Sequence, residues 1–564
     1  MRFLLRLAYN LLRLITWPVW GLFPRFRRKT SAWVSLRIQG EIQELPHSRG
    51  RLLERLTSRL RPAHLSVFEV RKLARAIVED PNARGLILTL TSVRGGWATL
   101  ESLRQVLVEV PRAGKRLVVA LPQGADQREL WLASAGDHVC ASEPAAFSAL
   151  GPVAQRPYLA GLLSKLGVQV QVFAQGDYKT AAESLARETM SAPEREQLGA
   201  LLATIQGRWL RDIGSRTGAE RAEQVLQQAM FGPHEALRFG LVDRVCYADE
   251  LEAELELDKV PARAFRPYLR AQARTLFVPL TRPRKLVALV RLHGAIGATP
   301  NPRGISLAAT RGLLRKLSED PRVVGVVLHI DSPGGSAVVS DLLHREIVRL
   351  DARKPVVAWM GDVAASGGYY LAAAARFIVA RPTTITGSIG VISARPVASE
   401  LMARWGVRSE VVKLAPHADL HSLRAADERE TAMIQAETRR YYERFLAVVA
   451  EGRKRPLAEI EGLAGGRIWS GADALANGLV DQLGGYAEAR AKLDELLGEQ
   501  AKQLPEQPEF YEPQVQPTGS DQIAIEVERL LGAAHGAAPN LLSLRALLED
   551  GERVLAWTPP LDIS

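Results

Sequence analysis

The sequence predicts an α/β fold that contains two copies of one unit, and two observations support this prediction. From residue 31 onward, apolar runs rich in Val, Ile and Leu alternate with helical patterns, which is typical of βαβ units and a mostly parallel sheet. Short motifs also recur: Glu79-Asp80-Pro81 recurs as Glu319-Asp320-Pro321, and Gly240-Leu241-Val242-Asp243 recurs as Gly478-Leu479-Val480-Asp481. The shifts, 240 and 238 residues, are nearly equal. Such a constant shift indicates a tandem duplication.

The duplication and the two ends of the chain define five predicted segments. They are an amphipathic membrane-associating segment (1–30), a first repeat (31–260), a linker (261–283), a second repeat (284–490), and a linker with a loosely docked helical tail (491–564). The tail prediction rests on short helical patterns at 520–533 and 540–556, which follow sequence containing Gln, Glu and Pro.

The N-terminal segment combines Arg2, Arg6 and Arg13 with leucines at roughly helical spacing, and it ends in an aromatic stretch, residues 17–23. Its charge-free part, residues 14–24, is well short of the ~20 apolar residues that a membrane-spanning helix needs. The pattern favours an anchor that lies in the membrane interface. A plain surface helix is the alternative.

The composition narrows the possible partners. A net charge of +11 is compatible with nucleic acid, with an anionic membrane surface, or with an Arg-rich composition alone. The arginines are scattered and no nucleic-acid-binding signature is present, so we expect no nucleic-acid partner. Cys140 and Cys246 share no metal-ligand spacing and lie in apolar runs, which predicts buried thiols. We expect neither a metal nor a cofactor.

Ser366 is the candidate nucleophile. It lies in GDVAASGGYYLAAAA, residues 361–375, between an apolar run that predicts a buried strand and a helical pattern. At a strand-to-helix turn, unpaired N–H groups and the helix dipole favour an attacking oxygen beside a developing oxyanion. Gly367 and Gly368 would let a substrate backbone come close. This stretch alone favours a simpler role, in which Ser366 is a helix N-cap.

Two further loops of the second repeat suit a catalytic site. The predicted strand 323–330 leads into Asp331-Ser332-Pro333-Gly334-Gly335-Ser336, whose glycines free backbone N–H groups to point at a ligand. The N–H groups of Gly335 and Gly367 are candidates for an oxyanion hole. The loop Thr386-Gly387-Ser388-Ile389-Gly390 suits an extended peptide or a hydroxyl that orients another side chain.

A serine nucleophile needs a base, and two candidates stay open. His329 with Asp331 precedes the Gly-Gly turn, although both residues are more economically structural. Lys179 follows the predicted strand 168–173. A lysine acts as a base where desolvation lowers its pKa towards neutrality, and a solvated loop lysine is the alternative.

The internal repeat favours the lysine. With a shift of 239 residues, Ser366 corresponds to Gln127, and Lys179 corresponds to Ala418. The first copy therefore lacks the serine and the second copy lacks the lysine. Each copy holds half of a site.

Four motifs together resemble those of the protease IV, or signal peptide peptidase A, family in its long double-repeat form. They are Asp331-Ser332-Pro333-Gly334-Gly335, Ala365-Ser366-Gly367-Gly368-Tyr369-Tyr370, Thr386-Gly387-Ser388-Ile389-Gly390 and Gly176-Asp177-Tyr178-Lys179. The resemblance covers roughly residues 31–490. It implies Ser366 as nucleophile, Lys179 as general base and Ser388 as the hydroxyl that orients the lysine. It also implies that Gly335 and Gly367 supply the oxyanion donors.

The same resemblance implies a Clp-protease/crotonase-like fold for each repeat and a membrane-bound homo-oligomer, such as a tetrameric ring, at the bacterial inner membrane. We therefore predict a metal-independent serine endopeptidase that degrades released signal peptides or other short apolar peptides. The alternatives are a crotonase-like CoA-thioester enzyme and a non-catalytic scaffold. The N-terminal segment is shorter and more basic than the family's spanning helix, and the tail after residue 497 has no counterpart in that pattern.

Overall fold

The computed structural model describes residues 32–46, 65–257, 259, 261–272, 285–299 and 304–513, four positions within 7–11, and the backbone of 554–557. The chain divides into two compact units. The first unit contains residues 1–151 and 205–284, and the second contains residues 152–204 and 285–564. The segment 152–204, which the sequence assigns to the first repeat, thus packs in the second unit. The boundary between the repeats in the sequence therefore differs from the boundary between the packed units.

The first half of the chain alternates strands and helices. Its strands are β1 (Ala32–Gln43), β2 (Leu65–Ser66), β3 (Ala83–Arg94), β4 (Arg116–Leu121), β5 (Gly124–Ala125), β6 (His138–Ala141), β7 (Ala146–Ser148), β8 (Gln169–Gln175), β9 (Met230–Phe231), β10 (Arg244–Val245) and β11 (Arg263–Ala264). Its helices are Val67–Glu79, Trp97–Arg112, Gln127–Ala133, Ala160–Lys165, Glu183–Ala186, Ala192–Thr217, Ala219–Gln228, Pro233–Phe239, Ala248–Glu254 and Phe265–Gln272.

The second half repeats this alternation. Its strands are β12 (Leu286–His293), β13 (Ile296–Gly297), β14 (Ile305–Ser306), β15 (Val323–Ser332), β16 (Gly334–Ser336), β17 (Val356–Ala365), β18 (Phe377–Ala380), β19 (Ile385–Gly387), β20 (Val391–Val397), β21 (Ile468–Ser470), β22 (Gln482–Leu483), β23 (Glu509–Tyr511) and β24 (Val554–Trp557). Its helices are Leu307–Glu319, Ala337–Asp351, Gly367–Ala372, Ser399–Arg404, Glu428–Arg453, Leu457–Leu463, Gly471–Ala476 and Tyr486–Leu497, followed by a 3₁₀ helix, Gly498–Gln503.

The first unit is built on a parallel sheet with the strand order β10-β6-β4-β3-β1-β11. Its covering helix Val67–Glu79 begins with a capping box between Ser66 and Glu69. That helix buries apolar side chains at helical spacing, namely Val67, Val70, Leu73, Ala74 and Ile77. Burial of this apolar stripe against the sheet is what makes the α/β layer stable.

The second unit repeats the arrangement with the strand order β21-β19-β17-β15-β12-β23, and β12, β15, β17 and β18 pair in parallel. One side of this sheet is wholly apolar: Val326, Leu328 and Ile330 of β15 are buried in the main core of the unit. The prediction of an α/β fold with mostly parallel sheets is confirmed.

A further sheet of the second unit, β14-β13-β16-β24-β20-β8, positions the candidate site. Strand β8 pairs antiparallel with β20, and Gln175 lies opposite Val391. The loop that follows β8 therefore starts beside the loop that precedes β20. These two loops contain Lys179 and Ser388, respectively.

The predictions for the two ends of the chain have different outcomes. The predicted anchor, residues 1–30, is outside the described residues apart from Leu7 and Tyr9–Leu11. Across the described chain, we find no helix that combines the length and the apolar character needed to cross a bilayer. Within the tail that was predicted as helical, Val554–Trp557 is a strand instead. It pairs with β16 on one side and β20 on the other, and such tertiary pairing overrides a local helical pattern.

Candidate active site

Ser366 lies at the end of β17 and directly before the helix Gly367–Ala372, as the sequence predicts. Its backbone has φ 54° and ψ −116°, and its side chain makes no capping hydrogen bond. The residue is fully buried. Its hydroxyl is therefore not used as an N-cap, and a positive φ at a non-glycine residue in this turn is typical of a site where strain serves function.

Lys179 reaches this hydroxyl from the loop after β8. Lys179 Nζ lies 2.9 Å from Ser366 Oγ and 3.0 Å from Ser388 Oγ, and it donates to the carbonyl oxygen of Ser388 at 3.1 Å. The lysine is 4% exposed. The structure thus brings Lys179 into contact with Ser366 and Ser388, which lie 187 and 209 positions further along the chain.

Burial changes the acidity of this lysine. Desolvation lowers the pKa of Lys179 from 10.5 to about 7, because the charged ammonium loses its hydration while the neutral amine loses little. A substantial fraction of the amine is consequently neutral near pH 7. Such an amine can accept a proton from the serine hydroxyl at hydrogen-bonding distance.

Ser388 is held in place by its backbone. It has φ 52°, and its N–H donates to the carbonyl oxygen of Arg467 at 2.7 Å. The preceding Gly387 has φ 74°, and its carbonyl oxygen accepts from the N–H of Ser366 at 2.8 Å. The two serine loops are therefore tied together directly, and both oxygens of Ser388 lie within hydrogen-bonding distance of the lysine amine.

The predicted oxyanion donors lie on two neighbouring turns. Gly335 is in β16 with φ 154°, and a Cβ there would lie 2.1 Å from the carbonyl oxygen of Ile296. Gly367 is the first residue of the helix after Ser366. A Cβ on Gly368 would lie 2.6 Å from the carbonyl oxygen of Ser332, so the end of β15 and the Ser366 turn are in close contact. Glycine is required where the backbones approach this closely.

The structure does not bring the alternative base to the serine. The ring of His329 lies 2.6 Å from His293, Nδ1 to Nε2, and its centroid is 4.2 Å from that of Trp359. Burial holds the pKa of His329 well below its usual value. Asp331 accepts from the N–H of Val363 at 3.1 Å, a structural contact. The histidine is part of the core packing, which agrees with the structural role that the sequence favours for it.

Sequence reasoning missed the segment that clamps the lysine loop, residues 464–469. Tyr178 N–H donates to the carbonyl oxygen of Gly465 at 2.9 Å, and a Cβ on Gly466 would lie 2.5 Å from Cα and Cβ of Lys179. The guanidinium of Arg467 lies over the rings of Tyr178 and Trp469, at 4.8 and 4.6 Å. The Gly465-Gly466 pair was the available signal, since paired glycines often mark close backbone contact.

Gln197 is a second residue that the motifs did not indicate. Its side chain donates to Thr180 Oγ1 at 3.0 Å, and its oxygen accepts from the N–H of Ile468 at 3.0 Å. It links the residue after Lys179 to β21. A buried glutamine with partners on both sides keeps such a loop in one conformation.

One group of potential metal ligands occurs among the described residues, namely His417, Asp427 and Glu430. Arg424 donates to both oxygens of Glu430, at 2.7 and 2.6 Å. The carboxylate is thus already paired with a cation, and the cluster contributes nothing to the Ser366 site.

Comparison with known proteins identifies the family. A family model described as Peptidase family S49 matches residues 110–260, within the first predicted repeat, and residues 348–500, which begin in the second predicted repeat and extend past its end. The chain belongs to Peptidase family S49. The chloroplastic serine protease SPPA of Arabidopsis thaliana is 32% identical over 463 residues, which cover 78% of this chain and 67% of that protein. Protease 4 of Salmonella typhi is 30% identical over 520 residues, 88% of this chain and 82% of that protein.

A third S49 relative is shorter. An Enterococcus faecium protein provisionally named signal peptide peptidase SppA is 38% identical over 177 residues, which cover 31% of this chain and 51% of that protein. The predictions of family, duplicated α/β fold and serine-type peptidase are confirmed. The CoA-enzyme and scaffold alternatives are not favoured.

The strands and the helix around the corresponding turn of the first unit agree with the predicted shift of 239 residues. Val118 pairs with His138 as Val357 pairs with Phe377, and the C-caps of the two helices are Ser134 and Ala373. The first unit's helix Gln127–Ala133 is one residue longer at its start, where Asp126 caps it by accepting from Arg128 and Glu129.

We expect kcat to rise with pH through a transition near pH 7, since only the neutral amine of Lys179 accepts the serine proton and its pKa is about 7. The measurement is kcat for a peptide substrate without titrating groups, from mildly acidic to alkaline pH. Lys165→Ala, which changes an exposed lysine near the site in sequence, should leave the profile unchanged. A flat profile in the unaltered protein would argue against lysine as the base.

Gly466→Ala should lower kcat by at least about 10-fold, because its Cβ would displace the backbone of Lys179 and because φ at Gly466 is 82°. The matched control is Gly462→Ala, where an added Cβ meets nothing within 4 Å. Hydrolysis rates of both variants, with circular dichroism to show that they are folded, check this expectation. Equal activity in the two variants would show that Gly466 does not position the lysine.

Proposed function

We propose that this S49 peptidase cleaves short apolar peptides, released signal peptides among them, with Ser366 as nucleophile and Lys179 as general base. The observation that carries the proposal is the 2.9 Å distance between Ser366 Oγ and Lys179 Nζ at a buried position. A hydroxyl in contact with a dehydrated amine is the arrangement in which lysine can replace histidine as a base.

In the first half of the reaction, Lys179 Nζ takes the proton of Ser366 Oγ as the oxygen attacks the scissile carbonyl carbon. The negative charge that develops on the carbonyl oxygen is stabilised by the N–H groups of Gly335 and Gly367. The lysine ammonium then gives its proton to the leaving amine as the peptide C–N bond breaks. An acyl-enzyme on Ser366 remains.

In the second half, a water molecule takes the place of the leaving amine. Lys179 accepts a proton from the water as its oxygen attacks the acyl carbon, and the same proton returns to Ser366 when the ester bond breaks. Ser388 keeps the amine directed at Ser366 through its hydroxyl and its carbonyl oxygen. The lysine thus needs no reorientation between the two halves.

An apolar cavity beside Ser366 supports apolar peptides as substrates. It has a volume of about 170 Å³, and its lining includes Ala337, Tyr370 and Val391. Ala337 follows β16, Tyr370 lies in the helix that begins after Ser366, and Val391 is the first residue of β20 after the Ser388 loop. Asp341 and Arg444, paired at 2.8 Å, line its polar side. A cavity of this size suits one aliphatic side chain next to the scissile bond.

The backbone of β16 supports binding of the substrate in an extended conformation. Gly334–Ser336 pairs with a strand, β24, and its peptide groups are therefore oriented to form strand hydrogen bonds. Strand β16 lies between β13 and β24, so a peptide that took the place of β24 would run past Gly335, a proposed oxyanion donor. The signal-peptide assignment itself comes from the names of the relatives.

We further propose a homo-oligomer, such as a tetrameric ring, at the bacterial inner membrane. The second unit exposes several large apolar side chains within residues 405–414, with Trp405 80% and Val412 99% exposed, and exposed apolar surface favours self-association. The arginine-rich amphipathic pattern of residues 1–30 and the net charge of +11 support contact with an anionic membrane surface.

Ser366→Ala and Lys179→Ala should each reduce kcat/KM at least about 1,000-fold, and the double variant should lose little more, because the two residues act in one chemical step. Peptide hydrolysis and labelling of Ser366 by a fluorophosphonate probe are the measurements. Ser399→Ala, on an exposed helix, serves as the control. If Lys179→Ala stays near full activity while His329→Ala is inactive, histidine is the base and the proposal fails.

Deletion of residues 1–30 should release the protein from anionic vesicles and leave cleavage of a soluble peptide intact, since no proposed site residue lies there. High salt should weaken vesicle binding only partly, because apolar burial contributes beside arginine attraction. Vesicle co-sedimentation at low and high salt provides the measurement. Unchanged sedimentation of the shortened protein would place the membrane contact elsewhere.

A further inference from the structure

The first unit contains a cavity that the proposed peptidase chemistry does not use. It has a volume of about 460 Å³, within the usual range for small-molecule sites. It lies on one face of the parallel sheet, against β1, β3, β4 and β6, and it is covered by the helix Ala248–Glu254 and the segment after it. None of the predicted site residues lines it.

The second unit shows what normally fills this space. In the first unit, Thr89 of β3 lies opposite Ala120 of β4. At the equivalent positions of the second unit, His329 of β15 lies opposite Trp359 of β17. The covering helices begin at Ala248 in the first unit and at Tyr486 in the second. In the second unit these larger rings are in contact: the centroid of Trp359 lies 4.2 Å from that of His329 and 5.8 Å from that of Tyr486.

The cavity therefore arises from three small residues on an otherwise repeated scaffold. Where the second unit has an imidazole, an indole and a phenol, the first has Thr89, Ala120 and Ala248, and all three line the cavity. The sheet and the covering helix are retained in both units. An open apolar volume costs dispersion contacts, so it is expected to persist where something binds in it.

Arg37 is the cation among the residues that line the cavity, and it is an exposed residue. In the strand register, Arg37 of β1 lies opposite Thr89 of β3. Arg291 of β12 occupies the equivalent position in the second unit, opposite His329 of β15. Arg291 lies 3.8 Å from the carboxylate of Glu512. Arg37 lines the cavity and has no ion-pair partner within the described part of the chain. The first unit thus presents the guanidinium without the carboxylate that accompanies it in the second.

We propose that this cavity binds a small apolar carboxylate, with the carboxylate on Arg37 and the apolar part among the aliphatic side chains. The aliphatic lining comes mainly from Ile87, Leu121, Leu251, Leu255 and Leu257. Ser35, Thr89 and Ser142 add hydroxyls that suit an oxygen-bearing head group. A guanidinium and a carboxylate pair in a bidentate manner, which fixes the orientation of the ligand.

Cys140 and Cys246 belong to the apolar part of the lining. Both cysteines are buried and free, and burial raises the pKa of both thiols. They are therefore protonated and behave as small apolar groups. The cavity is thus a binding site and not a thiol reaction centre.

Two kinds of molecule carry the required chemistry: a medium-chain fatty acid and a short apolar peptide with a free C-terminus. Glu252 also lines the cavity and has no ion-pair partner among the residues described. A peptide would place its ammonium near this carboxylate, whereas a fatty acid has no group for it. Glu252→Gln should therefore weaken binding of a peptide and leave binding of a fatty acid unchanged.

The test is isothermal titration calorimetry on the full-length Ser366→Ala protein, which cannot hydrolyse its ligands, with decanoate, leucyl-leucine and leucyl-leucine amide. At least one carboxylate should bind, and the amide should not. Arg37→Gln should weaken binding by about 10-fold or more, while Arg238→Gln, an exposed arginine of the same unit, should have no effect. Binding by decanoate identifies the fatty-acid source, and binding by leucyl-leucine identifies the peptide source.

A second set of variants tests the cavity itself. Ala120→Trp installs the residue of the second unit and should abolish binding while the thermal transition is retained. If Ala120→Trp does not fold, Thr89→His and Arg37→Gln remain as tests. The proposal is overturned if neither carboxylate binds at millimolar concentration, if the amide binds as well as the acid, or if binding is unchanged in Arg37→Gln. Because the proposal concerns binding alone, loss of peptidase activity would not affect it.

Discussion

The buried contact between Lys179 and Ser366 constrains the rest of the second unit, because a lysine amine out of water is costly. Each unit of pKa shift corresponds to about 1.4 kcal/mol, and burial lowers the pKa of Lys179 from 10.5 to about 7. Between these two values the unfolded chain holds a proton that the folded chain does not, so the cost decreases as pH rises through this window. The dense apolar core beneath the site offsets this cost. The folded state with a buried lysine is therefore stabilised by core residues that take no part in the chemistry.

The constraint explains why unusual backbone conformations collect at the site. Ser366 and Ser388 both have positive φ, and Gly387 lies between their loops with φ 74°. Gly335 and Gly466 occupy positions where a Cβ would meet neighbouring atoms at 2.1 and 2.5 Å. These contacts bring the turns from β16, β17 and β19 and the lysine loop close enough to exclude water. Dehydration lowers the pKa of Lys179, so the tight backbone packing that excludes water is also what keeps the amine neutral.

The fold and the polar residues of the site could be predicted because both leave local patterns. Parallel strands produce continuous apolar runs, and Ser366, Ser388 and Lys179 each stand in a recognisable glycine-containing motif. Two features could not be predicted. Residues 152–204 pack with the second unit, which no local pattern encodes. Gly466 and Gln197 act through contacts with distant segments.

The two units illustrate how a duplicated scaffold divides its tasks. At the turn that corresponds to the Ser366 turn, the first unit has Gln127, and the neighbouring Asp126 caps the helix by accepting from Arg128 and Glu129. The hydroxyl of Ser366 makes no capping hydrogen bond, whereas the first unit has a capping carboxylate and no serine at this turn. The strands that lead to these turns differ in the opposite sense: the second unit packs Trp359 of β17 against His329, whereas the first unit has Ala120 of β4 beside an open cavity. Because each unit retains a complete sheet and its covering helices, the positions that differ are free to serve chemistry in one copy and packing in the other.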